Sequence, residues 1–147
     1  MPTNPVSVWK APQVAPGRRV AQSLQNGDYM VRSATIAYNA SSPVNLFVLP
    51  AYTLVVQVLA QVTTAFDGAL ASVAVGVSGT TGRHLQTTDV DVKTVGWYGP
   101  LVPKPYEYTA STILICTVVQ GGSTQGAVVF WIETRCYTDK WARGPQV

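Results

Sequence analysis

The sequence predicts an all-β protein, an antiparallel β-sandwich or jelly roll carrying an extended N-terminal arm. Three observations point there. Runs of β-branched and aromatic residues, TASTILICTVVQ and AVVFWIETRCY among them, recur along the chain and suit a pleated, half-buried surface. Breaks rich in Gly, Ser, Thr, Pro and Asn separate these runs at spacings of about 8–15 residues. No segment reads convincingly as a helix.

Residues 1–27 read as the arm. Pro2, Pro5, Pro12 and Pro16, followed by Gly17 and Asn26-Gly27, fix φ or remove backbone donors and so exclude a long helix or central strand. The same stretch holds Val6, Val8, Trp9, Val14, Val20 and Leu24, more apolar side chains than a solvated tail requires. Val6, Val8, Trp9, Val14 and the basic pair Arg18-Arg19 are therefore the candidate partner-contact residues of the arm.

A sandwich domain is expected over residues 28–138. In DYMVRSATIAYNA, Tyr29, Val31, Ser33, Thr35 and Ala37 share one face and Met30, Arg32, Ala34, Ile36 and Tyr38 the other. PVNLFVLP is a short strand bounded by prolines, as befits a sheet edge. YTLVVQVLAQVTTAF fits both periods, but its valines and threonines favour a strand. Its apolar face comprises Tyr52, Leu54, Val56, Val58, Ala60 and Val62. Phe66-Asp67-Gly68 is a turn. LASVAVGV alternates again, with Ala71, Val73, Val75 and Val77 on one face, and SGTTG is a loop. HLQTTDVDVKTVGW is expected as a strand with Asp89, Asp91 and Lys93 outward and Val90 and Val92 inward. After the proline-rich loop GPLVPKPYEY, the two densest apolar runs flank GGSTQG and read as a hairpin. Residues 139–147 form a C-terminal tail.

Composition narrows the function. The 147 residues suit one domain, with 47% hydrophobic and only 12% charged side chains, about half the usual charged share. Low charge is a tendency of surfaces that meet other protein. A net charge of +3 without a basic stripe gives no footprint for nucleic acid. The N-terminus shows no signal-peptide pattern. NLFVLPAYTLVVQVLAQV, interrupted by Pro50, Gln57 and Gln61, falls short of the ~20 apolar residues of a membrane span. In a hairpin symmetric about Ser123, Cys116 faces Phe130 and Cys136 faces Ala110. The two thiols are then too far apart to bond and are expected to be free.

Chemistry is sparse. His84 is the single histidine, and no strained nucleophile accompanies it, so it is read as a loop or strand-start residue with no role. Asp89 and Asp91, at i and i+2, form the solvent face of a strand. The competing reading, a Ca²⁺ site helped by Asp67, lacks the six or more oxygens such an ion takes. No metal and no cofactor is expected. Trp97, Tyr98, Tyr106 and Tyr108 lie in or beside the proline-rich loop and form a candidate ligand or interface loop.

The segment VTTAFDG, the valine- and glycine-rich strand after it, the loop SGTTGRHL, and the threonine-rich strand ending in VVQGGSTQG resemble small all-β virion proteins of tailed bacteriophages. The resemblance covers roughly Val55 to Glu133. It implies a sandwich-fold, non-enzymatic virion protein, foremost a capsid decoration or cement subunit. The partners it implies are the major capsid protein or other virion proteins, with closed self-assembly as a trimer or dimer. The alternative is a tail or spike module that binds host glycans through the Trp97–Tyr108 loop.

Overall fold

A computed structural model describes residues 28–136. Nine strands are present among them: β1 (Asp28–Ala37), β2 (Val44–Leu49), β3 (Thr53–Thr64), β4 (Ser72–Val77), β5 (Thr80–Leu85), β6 (Gly96–Tyr98), β7 (Tyr106–Tyr108), β8 (Thr112–Val119) and β9 (Ala127–Cys136). They form two antiparallel sheets. One has the order β1-β9-β3-β6, with β7 also on β3, and the other runs β2-β8-β4-β5. Strand β6 pairs with Ala60–Val62 and β7 with Thr53–Val55, so the two lie along β3 as one interrupted strand. The break between them holds Pro100, Pro103 and Pro105, which have no N–H to give the ladder. Counted as one strand, β6 and β7 complete the eight-stranded order of a jelly roll, which decides between the two architectures left open by the sequence.

The core lies between the sheets, where Phe66, Phe130, Leu49, Leu85, Leu114 and Ile132 are fully buried. Burying each such side chain contributes about 1.5–3 kcal/mol. Strand β1 buries Ile36 and turns Tyr29 and Val31 outward, as its alternation predicts. Strand β2 lies at a sheet edge between Pro43 and Pro50, also as expected. Arg32 sits on edge strand β1 with its guanidinium 4.8 Å from the Phe47 ring centroid on β2, a cation–π contact between the two sheets. A charge on an edge strand also discourages pairing with foreign strands.

Several expectations are corrected. In β3 the apolar face is not continuous. Register shifts between Val55 and Gln57, so Thr53 and Val55 point inward ahead of the bulge and Val58, Ala60 and Val62 after it. One extra residue reverses the side of every residue before it, which puts Leu54 and Val56 off the core face. Buried Thr53 is tolerated because its hydroxyl donates to the Pro50 carbonyl at 2.6 Å.

The strand expected over HLQTTDVDVKTVGW is instead the end of β5, a short 3-10 turn (Thr87–Asp89), and β6. Backbone is diverted into turns by the carboxylates: Asp89 accepts the Gln86 N–H at 2.8 Å and Asp91 accepts the Lys93 N–H at 3.0 Å. Val90 and Val92 are nevertheless buried as expected. The SGTTG loop shrinks to a Ser78-Gly79 turn, and Thr80 already pairs with Val77.

The final pair of runs is not a hairpin. Strand β8 lies between β2 and β4, and β9 lies in the other sheet between β1 and β3. Both are dense in apolar residues because both are central. Residues 120–126 carry the chain from sheet to sheet, and the AFDG turn fastens them. Asp67 accepts the Thr124 N–H at 2.7 Å, the Gln125 N–H at 3.3 Å and the Thr124 hydroxyl at 2.6 Å, while the Gly68 N–H donates to Ser123 Oγ at 3.0 Å.

Cys116 accordingly faces Val44 and Val75, not Phe130, and Cys136 faces Asp28 and Thr53 in the opposite sheet. Both thiols are free. Burial pushes the Cys116 thiol up to about 12. A disulfide-exchange reagent is therefore expected to titrate Cys136 alone in native protein and both thiols after unfolding. Two fast-reacting thiols in the native state would contradict the placement of Cys116.

Candidate functional site

The candidate loop residues divide between different surfaces. Tyr98 packs partly against the core and donates its hydroxyl to the Thr94 carbonyl at 2.8 Å. Trp97 points the other way and is 59% exposed. It pairs with Gln61 of β3, and its ring lies 6.1 Å from that of Trp131 on β9. Trp131 Nε1 donates to Gln61 Oε1 at 3.3 Å, which fixes both side chains. Two rings and an amide thus share one region of the five-stranded sheet. Local sequence offered no sign of this, since Trp131 comes from a distant strand and reads as ordinary packing.

Tyr106 and Tyr108 belong to a second cluster where β7 approaches β5. Their rings lie 4.7 Å apart, and the Arg83 guanidinium sits 4.0 Å from the Tyr106 ring centroid. Tyr108 is buried, and its hydroxyl lies 2.6 Å from His84 Nε2. His84 Nδ1 lies 3.3 Å from the Lys104 carbonyl. A carbonyl only accepts, so Nδ1 carries the proton and Nε2 accepts from the tyrosine. Burial, with Arg83 and Lys104 nearby, lowers the His84 pKa to about 4 and keeps the ring neutral. Burial also raises Tyr108 above its ordinary value. Both ring nitrogens are committed to tying the proline-rich loop and β7 to β5. A histidine so engaged is a structural link, a role the sequence reading did not assign.

Each aspartate considered for a metal is engaged separately. Asp67 fastens residues 124 and 125, and hydrogen bonds from Thr124 lower its pKa. Asp89 holds the 3-10 turn and lies 3.8 Å from Lys104 Nζ, while Asp91 closes its own turn. Among the described residues no group of three His, Cys, Asp or Glu side chains could hold a metal ion. The arm residues Val6, Val8, Trp9, Val14, Arg18 and Arg19 lie outside the described residues, as does the tail 139–147. The polar side chains singled out for chemistry are thus engaged in structural ties.

No protein-family profile and no curated protein matches the chain. Solved structures do. A chain in the acidic stable capsid structure of Helicobacter pylori bacteriophage KHP30 superposes with a TM-score of 0.60 at 20% identity, covering 75% of this chain and 89% of that one. A chain of the cyanophage Pam1 capsid asymmetric unit does so with a TM-score of 0.60 at 17% identity, covering 75% and 86%. At these identities the shared property is the fold.

Proposed function

We propose that this chain is a non-enzymatic structural protein of a bacteriophage virion, a head decoration or cement subunit that stabilises the capsid through its sandwich and its N-terminal arm. The observation that carries this reading is the jelly roll shared over three quarters of the chain with chains of two phage capsids. The low charge of the chain and the structural engagement of His84, Asp67, Asp89 and Asp91 support it. A cement subunit stabilises by binding the assembled state in preference to the dissociated one, which requires contact area and no reaction centre. The major capsid protein is the expected partner. The separation of Trp97 from Tyr106 and Tyr108 favours this role over a glycan-binding tail or spike module, because the loop rings do not form one stacking platform.

Copy number in purified particles tests the proposal. Quantitative mass spectrometry against the major capsid protein is expected to give a ratio near one or a simple fraction of it. A few copies per particle would move the protein to a vertex, neck or tail, and absence from particles would overturn the virion reading.

A further inference from the structure

We infer that His84 is an acid-operated latch: when its ring takes up a proton, the proline-rich loop 99–105 comes away from β5 while the two sheets stay packed. The loop hangs between two strands that are both fixed on β3, β6 through Gly96–Tyr98 and β7 through Tyr106–Tyr108. Between them its own hold is slight. Pro100, Pro103 and Pro105 have no N–H to give. Among the described residues, none of the turn and loop backbone hydrogen bonds involves residues 99–105. Leu101 and Val102 at the tip are 96% and 68% exposed, so the tip adds little burial. Two polar contacts remain, both at Lys104. Its Nζ lies 3.8 Å from Asp89, a surface pair of little worth in water, and its carbonyl accepts from His84 Nδ1 at 3.3 Å. The histidine is the main polar tie between this loop and the sandwich.

The closed site has no means of holding a charge on that ring. His84 is 1% exposed, with Nε2 against the Tyr108 hydroxyl at 2.6 Å. Because β5 and β7 belong to different sheets, the ring spans the two layers at their open side. Arg83 of β5 and Lys104 of the loop are the cations beside it, and both oppose a third. Asp89 is engaged by Lys104 and the Gln86 N–H, and Asp91 by its own turn. Glu107 of β7 alternates to the side opposite Tyr106 and Tyr108. Strands β3, β4 and β8 carry no charged residue, and the buried Cys116 of β8 keeps its proton. Among the described residues no carboxylate reaches the ring to offset the two cations. A protonated ring therefore has to be hydrated. Displacing a loop without backbone hydrogen bonds admits water at lower cost than opening the ladders of β3 and β9.

Proton linkage sets the size of the response. The closed ring takes its proton only at about 4, whereas a hydrated ring does so near the ordinary 6.5. The ratio of open to closed loop then rises about twentyfold between pH 7 and 5 and levels off below about pH 4. This concerns the purified chain alone and does not depend on the virion reading.

Relaxation-dispersion NMR on the full chain tests the latch. The amides of Leu101, Val102 and Lys104 are expected to exchange with a minor form whose population grows about twentyfold from pH 7 to 5, while hydrogen exchange in β3, β8 and β9 stays slow. The His84 ring nitrogens are expected to titrate in step with the loop. His84→Gln, which cannot take up a proton, is expected to abolish the pH dependence. Lys104→Met, which removes the surface pair and keeps the carbonyl, is expected to retain it. A loop that shows no minor form at either pH overturns the inference. So does a rise that persists in His84→Gln, which would assign it to carboxylates, or a loss of protection in the sheets at the same pH, which would make the event global. Should His84→Gln fail to fold, a wild-type ring that titrates apart from the loop overturns it equally. Particle copy number is unaffected by any of these results, so the two proposals fail separately.

Discussion

Gly121→Ala is expected to destabilise the domain by about 3 kcal/mol or more, and Gly122→Ala, one residue on, by about 1 kcal/mol. Both glycines have positive φ, at 59° and 85°, so both alanines carry the left-handed backbone cost. Only their surroundings differ. A Cβ at Gly121 would lie 2.2 Å from the Ala71 nitrogen and 2.3 Å from the Leu70 carbonyl carbon, whereas a Cβ at Gly122 meets nothing within 4 Å. Backbone cannot rotate aside as a side chain can. Relieving the clash means separating the 120–126 crossing from residues 68–71, next to the point where Asp67 and Gly68 hold it. Urea denaturation should show a much lower midpoint for Gly121→Ala at an unchanged m-value. Equal losses for the two variants would mean that close approach at this crossing is not what restrains the chain.

That crossing also shows where sequence reasoning stops. Alternation located most of the strands because side-chain period is a local property, and it assigned the faces of β1 and the latter half of β3. Partner choice is not local. The glycines of GGSTQG satisfy a turn between neighbouring strands and a crossing between sheets equally well. What selects the crossing is Asp67, more than fifty residues earlier, binding Thr124 and Gln125. The β3 bulge was invisible for a related reason, since an inserted Val56 looks like one more apolar residue until Glu133 is seen opposite Gln57. In the candidate site, Trp97 was picked out as one ring of a candidate ligand or interface loop. Its association with Trp131 and Gln61 depends on β6 and β9 both flanking β3. His84 was legible as a residue without a catalytic partner, but not as a buried tie, because Tyr108 and Lys104 reach it only through the fold.

Acid is expected to destabilise the domain through that tie, in a window that one residue defines. His84 is the single histidine of the chain, with an ordinary pKa of 6.5 and a native value of about 4. Above pH 6.5 it is neutral in both states and its contribution to stability is fully present. Between pH 6.5 and 4 the unfolded chain takes up a proton that the native state refuses, so stability falls with pH. Below about 4 the native ring is protonated too, and no further loss comes from this group. The full depression corresponds to about 3 kcal/mol. The groups facing the ring reinforce this direction: the charges of Arg83 on β5 and Lys104 in the proline-rich loop both lower the His84 pKa, and burial raises that of Tyr108 on β7. Asp67 acts in a different range, because its native pKa lies below the ordinary 3.8 and its contribution is lost only as pH falls beneath that value. Unfolding free energy measured between pH 7 and 4 should therefore decline in the wild type. In His84→Gln it should start lower, because the fitted hydrogen bonds to Tyr108 and Lys104 are disturbed, and then stay nearly level across the same range. A parallel decline in both proteins would assign the acid sensitivity to carboxylates and remove His84 from the account.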